Sequence, residues 1–391
     1  MVALNAYSGR AGHYVRQSTG YRSFVPAPLP PNPAVHVDAE MLALLSRADQ
    51  GLGRLDGVAQ TLPNPDLFVA MYVRREAVYS SQIEGTQSTL EDLLTFELDP
   101  RGLDVPRDVE EVLNYVRAMN HGLGRLGDLP LSLRLIREIH AELLSGGRGA
   151  EHRPGEFRTS QNWIGPGGAG LADAMFVPPA VADMQTALGD FERFLHDESL
   201  PALIHCGLAH AQFETIHPFL DGNGRVGRLL ITFLLMHREV LHRPLLYLSL
   251  YLKRHRTEYY ERLTAIREQG DWEGWLKFFL RGIGDTVEEA TLAAGQIVEL
   301  REKHRATTTV QGLGVNGLRL LDLMFQRPIL NVKLVKEKLD VTFRTASRLV
   351  EQIEAAGLLQ EITSNRRNRL FVYKQYMGLF ETADAELPSE G

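Results

Sequence analysis

Apolar residues recur at helical spacing along most of the chain. Leu42, Leu45, Leu52 and Leu55 follow the approximate spacing of one helix face, with intervals of three and seven residues. The same rhythm and its start signals predict further helices at 68–97 (two helices joined by a turn), 108–126, 132–144, 181–196, 200–215, 225–239, 257–268, 272–282 and 285–307. The pattern therefore predicts a mainly α-helical protein.

Two segments break this rhythm. Residues 1–36 are rich in Gly, Ser and Pro, which predicts an extended N-terminal arm. Residues 152–179 hold many Gly and Pro residues, with short β-capable pieces between them. This second segment predicts a β-hairpin-like flap on the helical body.

The end of the chain has a different layout. A Thr-, Gly- and Val-rich linker at 307–317 precedes predicted helices at 318–325, 331–339 and 342–356. Predicted strands at 358–362 and 370–373 flank a basic turn, which is the layout of a winged helix-turn-helix domain. The chain thus divides into an arm (1–36), an N-terminal helical region (37–110), a helical core (111–306) and a linker with a winged helix (307–391).

Composition narrows the class of protein. Hydrophobic residues make up 44% of the 391 positions and charged residues 23%, which excludes a collagen-like, coiled-coil or disordered chain. The net charge of −7 argues against binding of polyanions by the whole chain. Residues 315–374 nevertheless carry 11 Lys and Arg against 6 Asp and Glu, so the C-terminal domain is basic.

The same reading bears on localisation. Every apolar run is far shorter than the roughly 20 residues that span a bilayer, so we expect no membrane partner. The first residues show no basic stretch followed by an apolar one, and Cys206 is the one cysteine. A reducing, cytoplasmic setting fits both observations.

One segment combines several groups that bind and transfer phosphates. From residue 217 to residue 228 it reads H-P-F-L-D-G-N-G-R-V-G-R. Gly222 and Gly224 allow a tight turn whose N–H groups converge on an anion, and a predicted helix begins directly afterwards. Arg225 and Arg228, three positions apart, share one helix face and add two guanidinium groups. The segment predicts a polyphosphate site.

Two further side chains of this segment add catalytic chemistry. Asp221 is placed to hold Mg²⁺, which favours carboxylate and phosphate oxygens. His217 is the natural general base near neutral pH. A lone G-N-G-R is more often an ordinary glycine turn with solvated arginines, but the full constellation favours a catalytic site.

The segment resembles the signature of the Fic (Fic/Doc) family, H-x-F-x-[DE]-G-N-G-R-x-x-R, at every position. The resemblance extends over roughly residues 60–280. It implies a Fic-type helical bundle with a flap, and 111–306 as its catalytic core. It also implies a protein adenylyltransferase, which moves AMP from ATP to a hydroxyl side chain of a target protein and releases pyrophosphate. A homodimer is a further implication.

The resemblance implies a role for each matching residue. It assigns catalysis to His217, Asn223 and Arg225. It assigns nucleotide binding to Phe219, Asp221, Gly222, Asn223, Gly224, Arg225, Arg228, Tyr251 and His255. His217 would deprotonate the target hydroxyl, Asp221 would hold Mg²⁺, and Arg228 would take the γ-phosphate. Relatives often carry Asn at the position of His255, and core packing is an equal alternative for that residue and for Tyr251.

A second match resembles the inhibitory helix of this family, [ST]-x-x-x-E-[GN]. Ser80 and Glu84 are four positions apart on one helix face, and Gly85 allows the helix to end. The implied role of Glu84 is to form a bidentate pair with Arg228 and so displace the γ-phosphate. The alternative is a surface glutamate near a helix end.

A third match concerns the flap, which in this family commonly opens G-x-x-R, here Gly155 to Arg158. Relatives align the backbone of the target along this hairpin, and free strand edges can pair with any peptide. The resemblance implies target docking by Arg158, Trp163 and Ile164. The alternative is a structural Gly/Pro loop.

Other functions stay open at this point. The winged helix favours a DNA-binding regulator, with candidate contacts at Arg344, Thr345, Ser347, Arg348, Arg366, Arg367 and Arg369. Three glutamates, Glu351, Glu354 and Glu361, dilute that basic face, and winged helices also dock proteins. Removal of AMP by the same site is a further alternative. Gly224 favours nucleotidyl transfer over phosphorylation, because phosphorylating relatives replace this glycine.

Overall fold

The computed structural model describes residues 9–18, 20–61, 65–98, 100, 106, 108–146, 151–165, 170–363 and 369–381. Within the predicted arm, β1 (Gly12–Arg16) and β2 (Arg22–Pro26) form an antiparallel hairpin. This part of the arm is therefore a paired hairpin, and the buried Phe24 ring packs near Phe176 of the flap. The guanidinium of Arg10 also binds the carboxylate of Glu273 at 2.9 and 3.0 Å.

Eleven helices of the described residues form the body. They are α1 (Ala39–Thr61), α2 (Pro65–Ile83), α3 (Leu90–Leu98), α4 (Val109–Arg125), α5 (Leu133–Leu143), α6 (Val181–Leu195), α7 (Ala202–Ile216), α8 (Asn223–His237), α9 (Ser249–Arg254), α10 (Arg256–Gln269) and α11 (Trp272–Val310). Every residue of α7 from Leu203 to Ile216 is buried, and α8 packs beside it. The loop that joins α7 to α8 is therefore held by the two central helices.

Helix α11 differs from the prediction. Two helices with a break near 283 were expected, but the chain is helical without interruption from Trp272 to Val310. Gly282 lies against the ring of Tyr251 in α9, where a β-carbon would come within 2.6 Å of the ring carbons. This glycine allows close packing and does not end the helix, and α9 itself was not predicted.

The C-terminal domain has the expected helix-turn-helix layout. It contains α12 (Gly314–Gln326), β3 (Ile329–Leu330), α13 (Val332–Leu339), α14 (Phe343–Ala355), β4 (Gln360–Glu361), β5 (Phe371–Val372) and α15 (Lys374–Glu381), with the sheet order β3-β5-β4. The side chains of Asn331 and Thr342 cap α13 and α14. Helix α15 was not predicted, and only 311–313 separate α11 from α12.

This domain packs against α2, the helix that carries Ser80. The ring of Phe380 in α15 lies 5.1 Å from the Arg75 guanidinium and meets Tyr72 edge-on at 5.9 Å. The carboxylate of Glu97 in α3 binds both Arg74 of α2 and Arg327 at the end of α12. Among the described residues, no helix is long and apolar enough to cross a membrane.

The flap is a minimal hairpin in its described part. Ile164 and Phe176 form one antiparallel bridge, and Leu171–Asp173 is a short 3₁₀ turn. Strand β2 continues this pairing, because the N–H of Phe24 donates to the carbonyl of Val177 at 2.9 Å. The N-terminal hairpin and the flap thus form one surface.

Candidate active site

The loop between α7 and α8 reverses the chain within six residues. His217 ends α7 in the left-handed region with φ +50°, and Gly222 precedes α8 with φ +77°. A left-handed backbone is uncommon for residues other than glycine. Side chains from outside the loop support this conformation.

Phe219 anchors the centre of the loop. Its ring is fully buried and stacks on His140 of α5 with 3.7 Å between ring centroids. Nδ1 of His140 accepts the Gly155 N–H at 2.9 Å, so its Nε2–H donates to the carbonyl of Asp221 at 3.1 Å. Burial lowers the pKa of His140 to about 4, which keeps this bridge between flap and loop neutral.

The Asn223 side chain closes the loop. Its Oδ1 accepts the N–H of Phe219 at 2.8 Å, and its Nδ2 donates to the carbonyl of the same residue at 2.9 Å. The side-chain amide is thus occupied within the loop. The catalytic role of Asn223 stays a prediction.

Arg158 faces the loop, which differs from the docking role predicted for it. The side chain is buried, and Nε donates to the His217 carbonyl at 3.0 Å, while Nη1 donates to that of Ser160 at 3.2 Å. Burial lowers the pKa of Arg158 to about 10. Trp163 and Ile164, the other two predicted docking residues, are exposed.

His217 is half-buried, and its imidazole is neutral near neutral pH. Burial lowers its pKa to about 4, although the Glu214 carbonyl acts in the opposite direction. Nδ1 faces that carbonyl at 3.4 Å, so Nδ1 carries the proton and Nε2 is the basic nitrogen. The ring is in the state that a general base requires.

Arg228 is buried and forms three hydrogen bonds, two with Ser80 of α2 and one with Glu84 directly after this helix. Nε donates to Ser80 Oγ at 2.8 Å, and Nη2 donates to the Ser80 carbonyl at 2.8 Å and to Glu84 Oε1 at 2.7 Å. Burial alone would lower the pKa of Arg228, but the combined charges of Glu84, Tyr259, Glu214 and Tyr260, with Glu84 the largest of them, raise it. The expected bidentate pair is instead a single Glu84 contact supported by Ser80, because Ser80 already occupies Nε.

Gly224 and Gly85 allow Glu84 to lie against Arg228. A β-carbon at Gly224 would overlap Oε1 of Glu84 and lie 3.0 Å from Nη1 of Arg228. Gly85, two residues after the end of α2, has φ +98°, a backbone conformation that favours glycine. The missing side chain at Gly224 therefore permits the contact between α2 and α8.

Asp221 and Arg225 border a cavity of about 300 Å³ that also reaches Glu84, Glu111 and His152. Arg225 is buried between two carboxylates, with 3.6 Å to Glu111 and 3.5 Å to Asp221. Both distances are long for a charge-assisted hydrogen bond, and Nε has no partner among the described residues. This guanidinium faces the cavity without a strong partner.

The donor set at Asp221 fits Mg²⁺ that also binds phosphates. Its side chain is 45% exposed, and Oδ1 accepts the Gly222 N–H at 2.6 Å. Among the described residues, no three His, Cys, Asp or Glu side chains are grouped to hold a metal without other ligands. Mg²⁺ commonly uses one or two carboxylates, substrate phosphates and water.

The structure does not bring Tyr251 and His255 to this loop. Tyr251 lines a separate cavity of about 270 Å³ with Tyr72 and Tyr247. The ring of His255, at the exposed end of α9, lies 4.4 Å from the ring of Tyr251. Instead, the next helix brings Tyr259 and Tyr260 near Arg228. Glu84 adds to the burial that raises the pKa of Tyr260.

Sequence reasoning missed Glu214. It lies one turn before His217, and its Oε1 is buried against Gly227 with no partner among the described residues. Burial raises its pKa to about 7, and Arg228 acts in the opposite direction. The one available signal was its place three residues before the conspicuous histidine.

Sequence comparison finds three matching domains. The description "Fic/DOC family N-terminal" matches residues 42–124, "Fic/DOC family" matches 130–235, and "HTH DNA binding domain" matches 318–370. The chain is 31% identical over 208 residues to the protein adenylyltransferase Fic of Drosophila grimshawi, which covers 52% of this chain and 38% of that protein. The Drosophila ananassae protein of the same name is 30% identical over 52% of this chain and 36% of its own. The matches thus span under two fifths of these relatives.

Solved structures share the fold. A Fic family protein from Desulfovibrio desulfuricans G20 superposes with a TM-score of 0.57 at 20% identity, over 87% of this chain and 97% of that one. A Fic domain containing signaling protein from Bacteroides thetaiotaomicron has a TM-score of 0.50 at 18% identity, over 66% of this chain and 97% of its own. The expectation of a helical bundle with a C-terminal helix-turn-helix domain is confirmed.

Proposed function

Because the chain belongs to the Fic/DOC family, we propose that it is an ATP-dependent protein adenylyltransferase that modifies a hydroxyl side chain. One observation carries the proposal: a neutral His217, two buried arginines and Asp221 meet at a single loop. The name of the fly relatives supports the same reaction.

In the proposed reaction the target hydroxyl oxygen attacks the α-phosphorus of ATP. The bond from this phosphorus to the bridging oxygen breaks, pyrophosphate leaves, and the hydroxyl proton moves to Nε2 of His217. The backbone N–H groups at the start of α8 and Arg225 would stabilise the charge on the phosphoryl oxygens. Asp221 would hold Mg²⁺, which would neutralise phosphate charge.

We propose that the observed contact between Arg228 and Glu84 holds this enzyme in a slow state. Arg228 would otherwise bind the γ-phosphate, and Glu84 Oε1 occupies Nη2 at 2.7 Å. ATP that enters beside Glu84 would lie with its α-phosphorus displaced from His217. A displacement of about 1 Å can cost 10²-fold in rate.

The proposed reaction is tested with ATP labelled at the α-phosphate. The protein is incubated with a lysate, and label in protein is measured, followed by mass spectrometry of the modified side chain. His217→Ala should lose about 10²–10⁴-fold in transfer while ATP binding persists, because other groups hold the phosphates. Label incorporation by His217→Ala at the wild-type rate would exclude this mechanism.

A second candidate function is DNA binding by the C-terminal domain. The match to a DNA-binding helix-turn-helix domain favours it, and Arg344 and Arg348 are exposed on α14. Arg369 instead pairs with Glu361 at 2.6 Å, and Arg366 and Arg367 lie outside the described residues. A mobility shift with random-sequence duplex should weaken steeply with salt if these arginines contact phosphates. The absence of a shift at low salt would exclude it.

A further inference from the structure

We propose that Asn162, on the flap, is a positioning residue that fixes the backbone of His217 for proton transfer. The inference rests on the proposed adenylyl transfer. Nδ2 of Asn162 donates to the carbonyl of His217 at 3.1 Å and to the carbonyl of Phe219 at 2.8 Å. A single amide thus bridges both sides of Pro218.

The backbone around His217 depends on support from outside the loop. His217 is left-handed, and Pro218 has no N–H with which the loop could brace itself. The flap supplies hydrogen-bond donors to this backbone. Arg158 donates through Nε to the His217 carbonyl and through its backbone N–H to the Pro218 carbonyl at 2.9 Å. Three successive loop carbonyls therefore accept hydrogen bonds from the flap.

The imidazole of His217 follows its backbone. Its own hydrogen bond, from Nδ1 to the Glu214 carbonyl, measures 3.4 Å, which is beyond the usual range for such a bond. A shift of the His217 backbone would therefore move Nε2 away from the attacking hydroxyl. Nucleotide binding would change less, because Arg225 and Arg228 lie on α8, beyond the three braced carbonyls.

Asn162 differs from the exposed part of the flap. Its side chain is half-buried, and Oδ1 is buried with no partner among the described residues, whereas Trp163 and Ile164 are exposed. Nδ2 must be the atom that faces the loop, since an oxygen there would face two other acceptors. The contribution of this amide is thus its two N–H donations.

The test replaces the amide by a carboxylate of the same shape. Asn162→Asp removes both donations, and Gln161→Glu makes the matched change one residue earlier, where the amide donates to the Pro178 and Asn162 carbonyls but not to the loop. Both variants are made in the Glu84→Gly protein. Pyrophosphate release from ATP gives kcat and KM, and thermal unfolding gives Tm.

We expect Asn162→Asp to lower kcat by about 10²-fold, with KM for ATP and Tm close to those of the parent. Gln161→Glu should keep the kcat of the parent. Asn162→Ala, which adds no charge, should repeat the loss of kcat and serves as the second variant if Asn162→Asp does not fold.

Three results would overturn the inference. They are an unchanged kcat in Asn162→Asp or Asn162→Ala, an equal loss in Gln161→Glu, and a joint change of kcat, KM and Tm that marks a merely structural role. A Glu84→Gly parent that transfers no labelled AMP would instead contradict the proposed function. The two failures are thus distinguishable.

Discussion

Nη2 of Arg228 lies 2.7 Å from Oε1 of Glu84, although the two residues are 144 positions apart in the chain. The Arg228 side chain is 2% exposed and that of Glu84 is 38% exposed. The arginine is thus fixed in the core, while the carboxylate approaches it from the cavity side. A phosphate that reaches Arg228 would compete with Glu84 for one guanidinium edge.

Ser80→Ala tests the contribution of Ser80 to holding Arg228. The change removes the Oγ that accepts from Arg228 Nε but leaves the Ser80 carbonyl and Glu84 in place. A hydrogen bond to a charged group contributes about 1.5–3 kcal/mol, so we expect partial activation of pyrophosphate release. Ser81→Ala is the control, because the Ser81 hydroxyl is buried without a partner among the described residues. Equal rates in both variants would contradict a role for the Ser80 hydroxyl.

Asp221→Asn and chelation test the metal. If Asp221 holds Mg²⁺ with the nucleotide phosphates, EDTA should stop AMP transfer, and Asp221→Asn should need a higher Mg²⁺ concentration for half-maximal rate. The measurement is a Mg²⁺ titration of pyrophosphate release. Full activity in EDTA would remove Asp221 from this role.

The pH dependence of the rate tests the state of His217. Burial holds its pKa at about 4, so the ring is already neutral at pH 6. We expect kcat/KM of the Glu84→Gly protein to show no rise from deprotonation of this base between pH 6 and 8. A rise in kcat/KM with a midpoint near pH 6.5 would contradict this expectation, because it would show that His217 titrates as an ordinary solvated imidazole.

Glu214→Gln tests the buried acid beside the site. Its pKa rises from 4.5 to about 7 on folding, so the folded protein binds more protons than the unfolded chain between these pH values. Stability from this group therefore falls as pH rises through that window. Between pH 5 and 8 the variant should gain up to about 3 kcal/mol in unfolding free energy relative to wild type. A constant difference across this range would show that Glu214 is charged at pH 5.

The sequence predicts the parts of this protein that depend on local pattern. The helical spacing of apolar residues predicts most helices of the body, and the glycines of the segment 217–228 predict the loop that carries His217. The pattern does not reveal contacts that join distant segments, so Arg158 was given a docking role although the structure turns its side chain toward the loop backbone, 59 positions away. The helix break near Gly282 was wrong because packing against Tyr251 overrides the propensity of glycine.

The most direct test of the account is the rate of AMP transfer by Glu84→Gly and Glu84→Gln beside wild type, at equal protein concentration and with ATP labelled at the α-phosphate. Glu84→Gly removes the acceptor and frees Nη2 of Arg228 for the γ-phosphate, whereas Glu84→Gln keeps an oxygen acceptor and removes only the charge. We expect Glu84→Gly to incorporate label about 10²-fold faster than wild type, and Glu84→Gln to lie between the two. An unchanged or slower rate in both would contradict inhibition by Glu84, and would favour a role for this carboxylate in the removal of AMP.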